Sequence, residues 1–252
     1  MVLAITSCSS DSTRDQIPTA KAGIIDLTEW NFVSDGILPL DGDWEIYWNQ
    51  LIEPEEFRQS DFSGRKDYIE VPAYWNNKIL GGEKAKGKGY ATFKLNVQLG
   101  SQDELYQLRI IQLHTAYRAW VNGELVATEG TVGKSAETAS PAFGLKEITI
   151  PVKSDSLEII LQISNFHVHE GGFRRSILIG NPEQISSYGK TRLGYDHIVI
   201  TILFIVSLFI LWLFIYNPKD RAPLYVALVC FCSAVNFSIV NELILLQYFK
   251  GI

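Results

Sequence analysis

From Tyr90 to Val97 the chain reads YATFKLNV, with Ala91, Phe93, Leu95 and Val97 at one set of alternate positions and Tyr90, Thr92, Lys94 and Asn96 at the other. LEIILQIS at 157–164 repeats the pattern with Leu157, Ile159, Leu161 and Ile163. Successive strand residues point to opposite faces, so each run predicts a strand with one dry face. AYRAWV, Asn122-Gly123 and ELVAT predict a hairpin, because Asn-Gly tolerates the positive φ of a tight turn. Further strands are expected at 43–48, 68–72, 105–112, 145–150 and 174–180, and no long helical period occurs between 60 and 190. About eight strands in ~160 residues suit an all-β jelly-roll sandwich. Trp44 and Trp48 share one face of an extended stretch and read as core.

The pattern changes at His197. HIVITILFIVSLFILWLFIY, residues 197–216, holds no Asp, Glu, Lys or Arg. At about 1.5 Å per residue that length crosses a ~30 Å hydrocarbon layer. It has no polar face, which a core helix of a soluble protein would show. Asn217-Pro218 and the charged Lys219, Asp220 and Arg221 end it, and a second apolar run follows from Ala222 to about Phe249. The expectation is an α-helical transmembrane hairpin after the sandwich, both of its outer ends on the sandwich side. Lys219 and Arg221 in the loop balance Lys190 and Arg192 before the first span, so positive charge does not orient it. Asn236, Asn241 and Glu242 are polar positions in the second run. The asparagines are expected to face further helices, and Glu242 to reach the far interface. Cys230 and Cys232 read as small buried apolar residues.

The net charge is −6, which argues against a nucleic-acid partner. No cysteine lies between Ser9 and Asp196, so the soluble part is expected to be stable from its core alone. MVLAITSC at the N-terminus is similar to a lipobox, though the apolar tract is short and lacks a basic start; Cys8 is therefore the lipidation candidate. The expected organisation is a signal remnant at 1–8, a flexible tail at 9–24 and an extracytoplasmic sandwich at 25–185. A juxtamembrane linker at 186–196 follows, then spans at 197–216 and 222–249 around a cytoplasmic loop at 217–221.

Several motifs stand in a fixed order: DGDWEIYWNQL (41–51), VPAYWNN (71–77), GYATFKL (89–95), TAYRAWVNGELVATEGTVG (115–133) and ISNFHVHEGGFRRSILIG (163–180). With the span and the KDR loop after them, they resemble the bacterial seven-transmembrane receptors with diverse intracellular signalling modules. The resemblance covers about residues 38–249. It implies an extracytoplasmic jelly-roll sensor related to carbohydrate-binding modules, placed in the cell membrane, with helices leading to a cytoplasmic kinase, cyclase or phosphatase. Two of the seven helices fall within this sequence and no output domain does, so the expectation is a receptor fragment. The Trp-Val-Asn-Gly hairpin and the glycine-rich segment before a late strand are also similar to the N-terminal sugar-binding domain of β-galactosidase and β-glucuronidase.

For a sugar ligand the aromatic candidates are Trp75, Tyr117, Trp120 and Phe173, since apolar ring faces stack on sugars; burial in the core is the alternative. The polar candidates are Asn165, His167, His169 and Arg174, with loop-holding hydrogen bonds as the alternative. His167 and His169 would share one face of a strand, but no third ligand accompanies them, so neither metal nor cofactor is assigned. There is no phosphate loop, nucleophile elbow or HExxH, and the chain does not read as an enzyme. The leading expectation is a ligand-sensing receptor domain with the bilayer and a small polar or carbohydrate ligand as partners. A homodimer is compatible with it. The alternative is a membrane-anchored module that binds an envelope protein or glycan without signalling.

Overall fold

The computed structural model describes residues 17–100, 105–111, 113–142, 144–151 and 154–240. Cys8 with its lipobox, Asn241, Glu242 and the end of the second apolar run lie outside the described residues.

The chain opens with β1 (Ile24–Leu27), a one-turn helix α1 (Phe32–Asp35), β2 (Leu38–Pro39), β3 (Gly42–Trp48) and β4 (Asp67–Val71). A small hairpin, β5 (Ile79–Leu80) and β6 (Glu83–Lys84), leads to β7 (Gly89–Leu99), β8 (Leu105–Ile111) and β9 (Leu113–His114). Then come β10 (Ala116–Val121), β11 (Glu124–Glu129), β12 (Leu145–Pro151), β13 (Ser156–Asn165), β14 (Gly172–Phe173) and β15 (Leu178–Gly180). Two long helices close the chain, α2 (Pro182–Tyr216) and α3 (Ala222–Val240).

The strands form a two-sheet sandwich. The larger sheet runs β11-β10-β13-β7-β3-β4, with β1 parallel to the end of β7; the smaller runs β12-β8-β15-β2. The alternation in β7 and β13 does what the sequence predicts: Phe93, Leu95, Val97, Leu157, Ile159 and Leu161 enter one core with Trp44, Ile46 and Trp48. From the smaller sheet Tyr106, Leu108, Ile110 and Ile179 meet them. At 20–33 cal/mol per Å² of apolar surface, such rings and branched chains supply the main stabilising term. The β10–β11 hairpin turns on Asn122 and Gly123 at φ 51° and 87°, the doubly positive pair that a tight hairpin turn demands.

Both outer faces are covered. On the larger sheet, the segment after β3 folds back over β7, β13 and β10. Tyr47 meets Phe57 and Phe62 at 5.1 and 5.8 Å. Gln162 Nε2 donates to Ile52 O at 3.0 Å. Arg118 pairs with Glu53 at 2.7 Å. On the smaller sheet, Arg109 of β8 points away from the core and is covered by the first turns of α2.

That helix differs from the expected organisation. Residues 186–196 are not a separate linker: α2 is continuous from Pro182 to Tyr216. Its start is capped by Asn181, whose side chain accepts from Glu183 N at 3.0 Å, with Pro182 in the first turn. Of the strand expected at 174–180, only Leu178–Gly180 pairs with β8 and β2. Both α2 and α3 are long and apolar enough to cross a membrane. They pack through small residues: Ser207 Oγ donates to Ala227 O at 2.9 Å, and Ala227 and Ala234 are buried. Cys230 is only half-buried and Cys232 is exposed, contrary to the buried expectation, because the helix–helix seam is built from alanine and serine instead.

Candidate functional site

At the end of the sandwich where β13 gives out, three segments are tied into one loop cluster. Asn165 is its hub. Fully buried, its Nδ2 lies 2.8 Å from Gly87 O, 3.0 Å from Val168 O and 3.0 Å from Glu170 O, while Oδ1 accepts from Val168 N at 3.2 Å. Across the cluster, Asn76 Nδ2 donates to His169 O at 2.9 Å and its Oδ1 accepts from Gly171 N at 3.1 Å. Trp75 N donates to Gly171 O at 3.0 Å, and its indole Nε1 donates to the same Gly87 O at 3.0 Å. A side chain at Gly87 would run into His169 O and Asn76 Nδ2, so only glycine lets the backbones approach this closely. Every buried amide donor here has a carbonyl to serve, which is the loop-holding role weighed for Asn165.

The polar candidates around that hub, His167, His169 and Arg174, are exposed, as is the neighbouring Glu170. His167 and His169 lie in bends after β13 and not in a strand, so they do not share a sheet face. The Asn165 contacts to Val168 and Glu170 curl the backbone there, and strand pairing stops. His167 Nε2 sits 3.2 Å from Ala139 O. Among the described residues no three His, Cys, Asp or Glu side chains gather as metal ligands. Tyr74, half-buried beside the cluster, is hydrogen-bonded to Glu170; burial and that carboxylate's charge hold its phenol above the ordinary range, and the charge of Arg174 opposes them.

The aromatic candidates are elsewhere. Trp75, Phe173, Tyr117 and Trp120 are 0%, 1%, 1% and 4% exposed. Trp75 packs against Trp48 and Phe93, and Phe173 against Trp44 and Phe93, all inside the core. Trp120 lies on the outer side of the larger sheet under the Arg118 guanidinium, 4.6 Å from its ring. The structure therefore corrects the expectation of a stacking platform: none of these rings offers a free face, because each fills space between packed layers.

Among the described residues, two hollows on the outer surfaces of the sandwich lie outside the cluster. One of about 250 Å³ is lined by Gln50, Glu56, Gln59, Asp61 and Ser63 on the cover of the larger sheet. The other, about 220 Å³, is lined by Arg109, Glu147, Ser186, Gly189 and Leu193, where α2 crosses the smaller sheet. Sequence reasoning missed this junction. Arg109 is 2% exposed, is ion-paired to Glu147 and lies beneath Gly189. The available signal was Asn181-Pro182-Glu183, a helix start written before a stretch too polar to show an apolar period.

No known protein family matches the sequence, and no curated protein matches it. The fold is similar in part to a GH2 beta-galacturonidase from Eisenbergiella tayi bound to galacturonate, at 12% identity and TM-score 0.40, covering 57% of this chain and 24% of that one. A b-glucuronidase from Ruminococcus gnavus in complex with D-glucuronic acid matches at 12% identity and TM-score 0.44, covering 57% and 29%. A putative beta-galactosidase from Bacteroides fragilis matches at 15% identity and TM-score 0.41, covering 57% and 22%. The chain thus spans under a third of the length of these proteins. Identity and overlap of that size fix neither ligand nor reaction.

Proposed function

We propose that this chain is the extracytoplasmic sensing part of a bacterial transmembrane signalling receptor, with a jelly-roll sandwich of the carbohydrate-binding kind outside and α2 and α3 in the cell membrane. The single observation that carries the reading is the continuity of α2. One helix is packed on the sandwich at Ile185 and Gly189 and then runs uncharged from His197 to Tyr216. A displacement of the smaller sheet is transmitted along such a strut, where a flexible linker would absorb it. A ligand acts on it by binding one position of the helix better than another.

The burial of Trp75, Tyr117, Trp120 and Phe173 shifts the proposed recognition from ring stacking to hydrogen bonding. His167, His169 and Arg174 are the exposed polar side chains placed for such contacts. A glycan and metabolite screen on the full chain in detergent, read by thermal shift, tests the proposal. Sensing predicts at least one ligand whose stabilisation falls in His169→Ala or Arg174→Ala. A folded chain that no small molecule stabilises, yet captures an envelope protein, contradicts small-ligand sensing and favours the interaction-module reading.

A further inference from the structure

The direction in which α2 leaves the sandwich decides which loops meet the bilayer. Ile185 packs by Gly180, Gly189 over Arg109, and Leu193 lines the same hollow as Leu145. Gly180 pairs with Gln107 and Leu145 with Ile111, so α2 advances along β8 toward Ile111. Beyond Ile111 the chain enters β9, which pairs with β14, and Gly172 of β14 bridges to Tyr74. The loop cluster around Asn165 is therefore at the end from which α2 departs. Leu193 precedes His197 by one helical turn, about 6 Å of rise, and each headgroup layer is about 5–8 Å thick.

That same end carries an unusual charge pattern for a chain of net charge −6. Lys84, Lys86 and Lys88 alternate in sequence with Ala85, Gly87 and Gly89 on the approach to β7, a segment that bends at Gly87 and Lys88. Ala85 and Gly89 are buried, and all three lysines are exposed. Gly87 fixes this segment against His169. Two carboxylates lie nearby and keep their charge: Glu83 accepts from Trp48 Nε1 and Asn49 Nδ2, and Glu170 is hydrogen-bonded to Tyr74, so the lysines outnumber them. Lys78, exposed at the base of the β5–β6 hairpin, adds a fourth positive charge.

We infer that the Lys84-Lys86-Lys88 edge is a contact surface for anionic phospholipid headgroups, seating the loop cluster on the bilayer. Charge complementarity sets the partner, since clustered lysines at a membrane surface are drawn to anionic lipid. The placement favours the bilayer over a soluble anion: Gly89, which follows the edge, pairs with Asn165 at the end of the sandwich from which α2 departs. The inference rests on the proposed membrane insertion of α2.

The test is hydrogen exchange of the full chain in nanodiscs of phosphatidylcholine, alone or mixed with phosphatidylglycerol. Amides of 83–89 are expected to exchange about tenfold more slowly with the anionic lipid, and the difference to vanish in Lys84→Glu/Lys86→Glu/Lys88→Glu. Equal exchange in both nanodiscs overturns the inference, as does protection that survives the triple substitution. Equal protection by inorganic phosphate in neutral nanodiscs assigns the edge to a soluble anion and also overturns it. A chain that fails to enter nanodiscs at all overturns the membrane reading itself, a result distinct from an inserted chain with no lipid preference.

Discussion

Gly189 of α2 lies directly over the buried guanidinium of Arg109: a Cβ built on it would stand 2.7 Å from Arg109 Nη1 and 3.0 Å from Glu147 Oε1. Alanine is the better helix former by about 0.5–1 kcal/mol, but overpacking a filled contact costs about 1–3 kcal/mol. Arg109 has no easy retreat, because it is buried and ion-paired to Glu147. Crowding therefore outweighs propensity. Gly189→Leu is expected to lower the Tm of the sandwich, read by tryptophan fluorescence in detergent. Gly194→Leu, where a Cβ meets nothing within 4 Å, is expected to leave it unchanged.

The Asn165 hub makes a sharper demand. Asn165→Ala removes the buried donor that faces the carbonyls of Val168 and Glu170, and leaves Gly87 O with Trp75 Nε1 alone. The expected loss is about 2–3 kcal/mol in denaturant unfolding. Asn165→Asp is expected to be at least as damaging, since a carboxylate would face those carbonyls. His169→Ala, at an exposed side chain, is expected to stay within about 0.5 kcal/mol.

Two buried aromatics are expected to respond in opposite ways. Trp75→Phe removes both indole volume and the donor to Gly87 O, and is expected to destabilise by about 2 kcal/mol. The Tyr117 hydroxyl is buried without a hydrogen-bond partner among the described residues, and burial followed by the charge of Glu129 pushes its pKa up. Tyr117→Phe removes only an uncompensated polar atom, so stability is expected to hold or rise. Denaturant midpoints of the two variants against the parent check the ordering.

Stability should also fall with pH through Asp41. Burial holds its carboxyl above the ordinary range, and the hydrogen bond from Ser176 Oγ at 3.1 Å acts the other way. A raised carboxyl pKa means that the folded chain binds the proton more tightly than the unfolded one. Its favourable contribution is present below the ordinary carboxylate pKa and is lost as pH rises through the folded value. Asp41→Asn is therefore expected to raise the Tm at pH 7 and to lose that advantage below about pH 4. Tm against pH for parent and variant measures the effect.

The long strands were legible because their alternation spans a whole sheet: β7, β13 and the Asn122-Gly123 hairpin need no partner information. β9 and β14, two residues each, carry no period, and they exist only because the loop cluster brings Leu113 and Phe173 together. The start of α2 escaped because Ser186, Ser187, Lys190, Thr191 and Arg192 interrupt any apolar face. What holds that segment is tertiary contact, with Ile185 buried, Gly189 close over Arg109 and the Tyr188 ring 5.9 Å from the Arg109 guanidinium. The site was half legible. A Trp or Tyr near a motif reads the same in sequence whether its ring is free or packed, and only the second sheet decides that Trp75 and Phe173 are core. Asn165 was readable as a loop holder, since a short amide at the end of a strand, before the Gly171-Gly172 turn, can hydrogen-bond the backbone of a tight bend.

One unbroken helix, α2, joins the sandwich to the apolar segment. With Cys8, Cys230 and Cys232 replaced by serine, spin labels at Thr149 on β12 and Thr201 on α2 report the distance across the junction in nanodiscs. A single narrow distance distribution is the expected result. A broad or multi-peaked one would mean that α2 breaks between the sheet and the bilayer, and would contradict the account.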